Sequence, residues 1–139
     1  MNYRILDRVP STVEHAALAA AVGWQSHFDD EVRGASLAAS LAGVVCVDEH
    51  GTVVGMARAV GDGLQYAYVQ DVIVDPRCEG LGIATDLVSR LIELLQPDDD
   101  IELFVGLFAS DAAVGVYESL GFSSDEAVGM HRKLRGAAS

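Results

Sequence analysis

At 139 residues, half of them apolar, the chain is long enough for one sizeable core, and its composition excludes global disorder. Its formal charge of −12 repels phosphate backbones and acidic lipid, so nucleic-acid and membrane partners are not expected. A cationic small molecule suits that field better, although acidity by itself is also a solubility property. The longest nearly uncharged stretch, Ala35 to Val47, is thirteen residues, short of the roughly 20 a membrane span needs. The start, Met1-Asn2-Tyr3-Arg4-Ile5, lacks the basic patch, apolar run and cleavage site of a secretory signal, and a cytoplasmic location is expected.

Tyr3 to Arg8 reads as a first strand. Pro10-Ser11 opens a helix through a capping box, Ser11 with Glu14 three residues on. Val13, Ala16, Ala17, Ala20, Ala21 and Trp24 recur at helical spacing as its apolar stripe, and Gly23 ends it. A second helix from about His27 to Ser40 carries Phe28, Val32, Ala35 and Ala39 on one face. Val44 to Asp48 and Thr52 to Val60 are β-branched runs joined across Glu49-His50-Gly51, the pattern of a hairpin. After the turn Gly61-Asp62-Gly63, Tyr66 to Val74 follows as a third strand of the meander, stopped by Pro76. Ile83, Leu87, Leu91, Leu94 and Leu95 share one face of a helix from Ile83 to Leu95, broken by Gln96-Pro97. Ile101 to Phe108 reads as a strand. Ser110 to Leu120 reads as a helix with a serine N-cap and a Gly121-Phe122 stop, and Val128 to Leu134 as a last strand.

No repeat, low-complexity segment or linker interrupts the chain, so residues 1–139 are expected to form a single domain. A meander, a strand-helix-strand crossover, then a helix and closing strand predict an α/β layer fold, a mixed sheet covered by helices. The crossover is right-handed on general grounds, which puts the loop from Asp75 to Gly82 at the carboxyl end of a central strand, where open sheets bind ligands.

That loop is the most informative stretch. Small residues at 80, 82 and 84 let backbone approach a ligand closely, and the following helix aims free N–H groups and its positive dipole end at the same space. Such a place suits a phosphate. The P-loop signature is absent, and the dinucleotide fingerprint lacks its third glycine and its first-strand position. By itself the Gly-x-Gly is equally consistent with a tight strand-to-helix turn.

The flanks add to it. Val72-Ile73-Val74-Asp75-Pro76 followed by Glu79-Gly80-Leu81-Gly82-Ile83-Ala84 resembles the V-x-P-x-x-Q/R-x-x-G-x-G/A motif of the GNAT superfamily of N-acetyltransferases. Tyr117-Glu118-Ser119-Leu120-Gly121-Phe122 is similar to the family's Y-x-x-x-G-F, and the order of elements agrees over nearly the whole chain. One residue departs: the Gln or Arg at the loop's head is Glu79 here, a carboxylate beside an expected pyrophosphate. Arg77 offers a second alignment, Arg77-x-x-Gly80-x-Gly82, but the spacing from Pro76 favours keeping Glu79 in the motif.

The resemblance implies a mixed, mostly antiparallel central sheet flanked by helices, and an acyltransferase using acetyl-CoA. Backbone groups of the strand Val72-Ile73-Val74 would pair with the pantetheine arm. Glu79, Gly80, Leu81, Gly82, Ile83, Ala84 and Thr85 would cradle the pyrophosphate, through main-chain N–H groups and the Thr85 hydroxyl. Tyr117 matches the family's general acid, which protonates the departing thiolate; a core tyrosine is the other reading. Some relatives, polyamine acetyltransferases among them, carry Glu-Asp where this chain has Gln70-Asp71. Asp71 is thus a candidate to bind or deprotonate the amine, and a sheet-facing role is equally open. Gln70 and Tyr68 could orient a water.

Asp29, Asp30 and Glu31 fall in a region that borders the acceptor site in this family, and Trp24 and Phe28 flank them. They suit an aromatic or aliphatic amine, while a charge run at a helix start also serves the helix dipole. Leu107-Phe108-Ala109, Gly129-Met130 and the Tyr117 stretch are also similar to plant-type serotonin and arylalkylamine N-acetyltransferases. No metal is expected, because His15, His27, His50, His131, Cys46 and Cys78 show no ligand or disulfide spacing. The expected function is acetyl transfer to a small-molecule primary amine in a ternary complex. The alternatives are an acetyl-CoA-binding module without turnover and a protein N-terminal or lysine acetyltransferase. A homodimer through the closing strand is also open.

Overall fold

The computed structural model describes residues 1–137. By internal contacts it groups into Met1–Leu107 and a unit from Phe108 onward, each described by itself.

In the first unit the order is β1 (Tyr3–Leu6), α1 (Thr12–Ala21), α2 (Asp30–Ala38), β2 (Ala42–Asp48), β3 (Val53–Gly61), β4 (Tyr66–Val74), α3 (Ile83–Leu95) and β5 (Phe104–Gly106). The five strands form one sheet in sequence order, antiparallel except for the parallel pair β4 and β5, the mixed α/β architecture expected. Strand alternation splits the core in two. Val44, Cys46, Ala57, Ala59, Ala67 and Val69 meet Ile83, Leu87, Leu91 and Leu95 of α3 on one face. Val45, Val47, Met56 and Ile73 meet Leu18 of α1 on the other. Burying each of the α3 aliphatics contributes about 1.5–3 kcal/mol, which makes α3 the most firmly seated helix.

β4 changes phase along its length. Its register against β3 shifts between Met56 and Arg58, a β-bulge at Asp71, whose φ is 55°. Before the bulge Ala67 and Val69 face α3; after it Val72 and Val74 do. Ile73 and the Asp71 side chain face the α1 side.

Several expectations are corrected. On α1 the buried face is His15, Leu18 and Ala19, while Val13 is 77% exposed. On α2 it is Arg33 and Leu37, and Val32 and Ala35 face solvent. In both helices a polar residue occupies the inner face because a buried partner awaits it, so the apolar period points to the wrong side. β5 is three residues rather than eight, since its pairing with β4 covers only Tyr66–Tyr68.

In the second unit a 3-10 turn at Asp111–Ala113 runs into α4 (Val114–Ser119). Gly121, at φ 95°, ends it by letting the Phe122 N–H reach Tyr117 O at 3.1 Å. The expected strand at Val128–Leu134 is not formed: among the described residues no ladder partner pairs with it, and Val128, Met130 and Leu134 are over three-quarters exposed.

The two faces of the first unit make a direct comparison. Leu87→Ala lowers stability by about 2–5 kcal/mol in urea unfolding, whereas Val13→Gln stays within about 0.5 kcal/mol. A Val13→Gln loss as large as that of Leu87→Ala would return the buried face of α1 to the alanine stripe.

Candidate active site

The loop after β4 is built as the sequence suggests, by local chemistry. Asp75 Oδ1 accepts the Arg77 N–H at 2.9 Å and so starts the 3-10 turn Pro76–Cys78. Gly80 and Gly82 then adopt φ of 80° and 78°, left-handed backbone that glycine takes without Cβ strain. Gly82 is the N-cap of α3 and no side chain caps that end. The first N–H groups of α3 therefore have no partner inside the helix. A Cβ built on Gly80 or Gly82 would meet nothing within 4 Å, so the concave side of the loop is open.

Beside this cradle lies an unpaired strand edge. β5 covers β4 only as far as Tyr68, so among the described residues Val69–Val74 has no strand on that side. An extended chain with amide groups can add there. Half-buried Val72 and Val74 pack toward α3, leaving their main chain as the usable part. Ile73 and Ile83 are buried core residues whose side chains belong to the sheet and to α3. Leu81 is exposed, and Ala84 and Thr85 are half-buried on the first turn of α3.

The loop's side chains carry more negative than positive charge. Glu79 is exposed. Arg77, which could have offset it, folds back on Asp75 through Nε at 3.1 Å and NH2 at 2.7 Å. That pairing holds the Asp75 carboxyl below its ordinary value. Asp86, on the first turn of α3, accepts the Tyr3 hydroxyl at 2.6 Å. An anion in this cradle meets main-chain N–H groups and the helix dipole rather than a free guanidinium.

On the opposite face the structure assembles a group that sequence reading did not find as a group. Asp71 is 3% exposed. Its Oδ2 accepts Arg58 Nε at 2.9 Å and His15 Nε2 at 3.3 Å, and Oδ1 accepts Gln70 Nε2 at 3.3 Å. Burial alone would raise its pKa, but hydrogen bonds from His15 and Arg58 and the Arg58 charge outweigh that and hold it below the ordinary carboxylate value. Arg33 Nε donates to His15 Nδ1 at 3.0 Å, and since Arg33 can only donate, the Nε2–H of His15 is the one facing Asp71. A carboxylate this enclosed, with three hydrogen bonds already made, is out of reach of an amine in solution, which argues against Asp71 as the base. A sequence signal existed: Arg58 stands alone inside the apolar run Val53–Val60.

The other acceptor-side candidates have mixed placements. Trp24 is exposed, at 38%, and its ring lies 6.3 Å from that of His27. Phe28 meets the His15 ring edge-on at 4.6 Å. Asp29 caps α2 by accepting the Glu31 N–H at 2.9 Å, and Asp30 pairs with Arg33. Both carboxylates thus have local partners. In the second unit Tyr117 is the buried residue of α4, with Phe122 edge-on at 6.0 Å, and burial raises its phenol above the ordinary 10.0. Among the described residues no group of three or more His, Cys, Asp or Glu is placed to hold a metal ion.

An open glycine cradle at a helix start, beside a free strand edge of a mixed sheet, defines a class, and comparison with known proteins gives the family. Residues 9–122 match the model of the Acetyltransferase (GNAT) family, and the chain belongs to that family. It is 40% identical over 75 residues to a chloroplastic serotonin N-acetyltransferase of Oryza sativa subsp. japonica, covering 54% of this chain and 36% of the relative. It is 37% identical over 78 residues to a protein named a histone acetyltransferase in Glycine max, covering 56% and 33%. The chain spans about a third of the length of these curated relatives. A GNAT-family acetyltransferase of Streptococcus pneumoniae TIGR4 superposes with a TM-score of 0.80 at 27% identity, covering 97% of this chain and all of that one.

Gly82→Ala tests the cradle. A Cβ at φ 78° is strained by about 1–2 kcal/mol, and relieving that strain moves the backbone that presents the N–H groups. Calorimetric titration is expected to show CoA affinity falling about tenfold; undiminished affinity would move the phosphate site elsewhere.

Proposed function

We propose that this chain transfers an acetyl group from acetyl-CoA to a primary amine of a small molecule, directly and within a ternary complex. The observation that carries the reading is the pair of left-handed glycines at the uncapped start of α3, beside the unpaired edge of β4. That combination fits a pyrophosphate followed by an amide-bearing arm of extended shape. Family membership supports acetyl-CoA as the donor.

Bound there, acetyl-CoA supplies a thioester as the acyl source. The N–H groups of the Gly80–Thr85 segment hold its phosphates, and the main chain of Val72 and Val74 fixes the arm by strand-like pairing. Gln70, exposed on the Asp71 side of β4, is suited to hold a water that takes the amine's proton. Tyr117 takes the general-acid role from its place in the Tyr117–Phe122 motif. Its raised phenol pKa keeps the proton available at neutral pH.

Direct transfer is favoured by the state of the thiols. Burial first, and then the neighbouring Cys78, pushes the Cys46 thiol up to about 11, and Cys78 is raised as well. Neither presents a thiolate to accept an acetyl group near neutrality. The net charge of −12 favours a cationic amine over an acidic acceptor.

The experiment is thiol release from acetyl-CoA, corrected for hydrolysis, across a panel of arylalkylamines, polyamines and lysine peptides. Amine-stimulated release is expected from a small amine, and Tyr117→Phe is expected to lower kcat about 100-fold. The alkaline fall in kcat belonging to this phenol comes above 10.0 and is absent from the variant. Release stimulated only by peptides would make the chain a protein acetyltransferase; binding without any stimulated release would make it a sensor of acetyl-CoA. Glu79→Gln gives a separate check on charge. It tightens CoA binding about threefold at low salt, and the gain fades at high salt.

A further inference from the structure

α2 is a nine-residue helix with one buried apolar side chain, Leu37, and a helix that short does not hold its place by propensity. Its two ends are tied down by two polar arms that meet on a single carboxylate. Along one arm Asp71 holds Arg58, whose NH1 donates to Ser36 O at 3.0 Å and Ser40 Oγ at 3.2 Å, and whose NH2 donates to Ser36 Oγ at 3.1 Å. That arm fixes the carboxyl end of α2. Along the other arm Asp71 holds His15, which accepts from Arg33, and Arg33 reaches Asp30 at the amino end of α2 while lying 6.0 Å from the centre of the Phe28 ring. The third bond of the same carboxylate is to the Gln70 amide.

We propose that Asp71 is the positioning residue of the acceptor site. It sets the place of α2, of the Trp24–Asp30 segment leading into it and of the Gln70 side chain, without touching the reacting atoms. This rests on the transferase reading above, with Gln70 holding the water, and on Trp24 and Phe28, the acceptor-side candidates of the sequence, lining the amine's approach. The bulge that turns Asp71 toward α1 and α2 also turns Val72 and Val74 toward α3, so one backbone feature sets the cofactor edge and the acceptor wall in register. Arg33 and Arg58 hold α2 at Asp30 and at Ser36, and a carboxamide at position 71 would leave the Arg58 cation buried without its counter-charge.

The test compares wild type, Asp71→Asn, Arg33→Met and the double variant in the full chain. Trp24 is the only tryptophan, so acrylamide quenching of its fluorescence reads the α1–α2 segment independently of turnover. Asp71→Asn is expected to raise the amine KM about tenfold, lower kcat about threefold through the released Gln70, leave the calorimetric Kd for CoA within about twofold, and about double the quenching constant. Arg33→Met moves KM and quenching the same way by less, and the double variant is no worse than Asp71→Asn alone, since both act on one chain of contacts. Should Asp71→Asn not fold, Arg33→Met decides by itself, because it leaves the Asp71–Arg58 pair intact. Unchanged amine KM and quenching in a folded variant would overturn the proposal, as would a CoA Kd that weakens in step with KM. If the wild type binds acetyl-CoA but acetylates no amine, the transferase reading fails, and the quenching result still decides whether Asp71 positions α2.

Discussion

The course of β4 turns on one residue. Asp71 takes left-handed backbone, which costs a non-glycine residue about 1–3 kcal/mol but costs aspartate least among charged residues. The extra residue lets two consecutive side-chain sets leave the strand on the faces where each is needed: aliphatics toward α3, a carboxylate toward α1 and α2. Arg58, opposite Gln70 on β3 and bonded to that carboxylate, makes the strain worth keeping, because replacing Asp71 by an apolar residue would strand a buried cation. The site is therefore organised by a buried ion pair at a bulge rather than by a pocket.

Charge follows the same economy. Arg8, Arg33, Arg58, Arg77 and Arg90 each face a carboxylate, so these guanidiniums are already neutralised within the first unit. In an acidic chain of this kind a polyanion would be held by groups that carry no formal charge: the orphan N–H donors at the start of α3 and the dipole behind them. Glycine at 80 and 82 makes those donors accessible. The free edge of β4 works by the same means, offering main-chain amides instead of side chains.

Much of this was legible in the sequence because it is local. The capping box Ser11–Glu14, the turn at Gly51, the stop at Pro76 and the bounds of β4 and α3 follow from neighbours a few residues apart, and the structure shows each. The glycine loop was legible for the same reason, since its conformation needs only the glycines and the helix after them. The inward faces of α1 and α2 were not. Apolar periodicity assumes that buried means apolar, and His15 and Arg33 are buried because Asp71, over fifty residues from His15 in sequence, supplies the partner. The C-terminal strand pattern failed on similar grounds, as alternation describes a strand's faces but says nothing about whether an edge is there to pair with it.

The amino-acid sequence by itself determined the order of elements from β1 to α4, the glycine loop and its acidic head at Glu79, because turns, caps and left-handed glycines are written in adjacent residues. Only the tertiary structure decided what Asp71 does. From sequence it was one of a pair of polar residues within a strand, with reactive and structural roles equally open; in the fold it lies beneath α1 and α2 with both oxygens accepting hydrogen bonds, from Arg58, His15 and Gln70. Burial and partners, not residue type, fix the role of a carboxylate, and both come from parts of the chain that meet only once the sheet has formed.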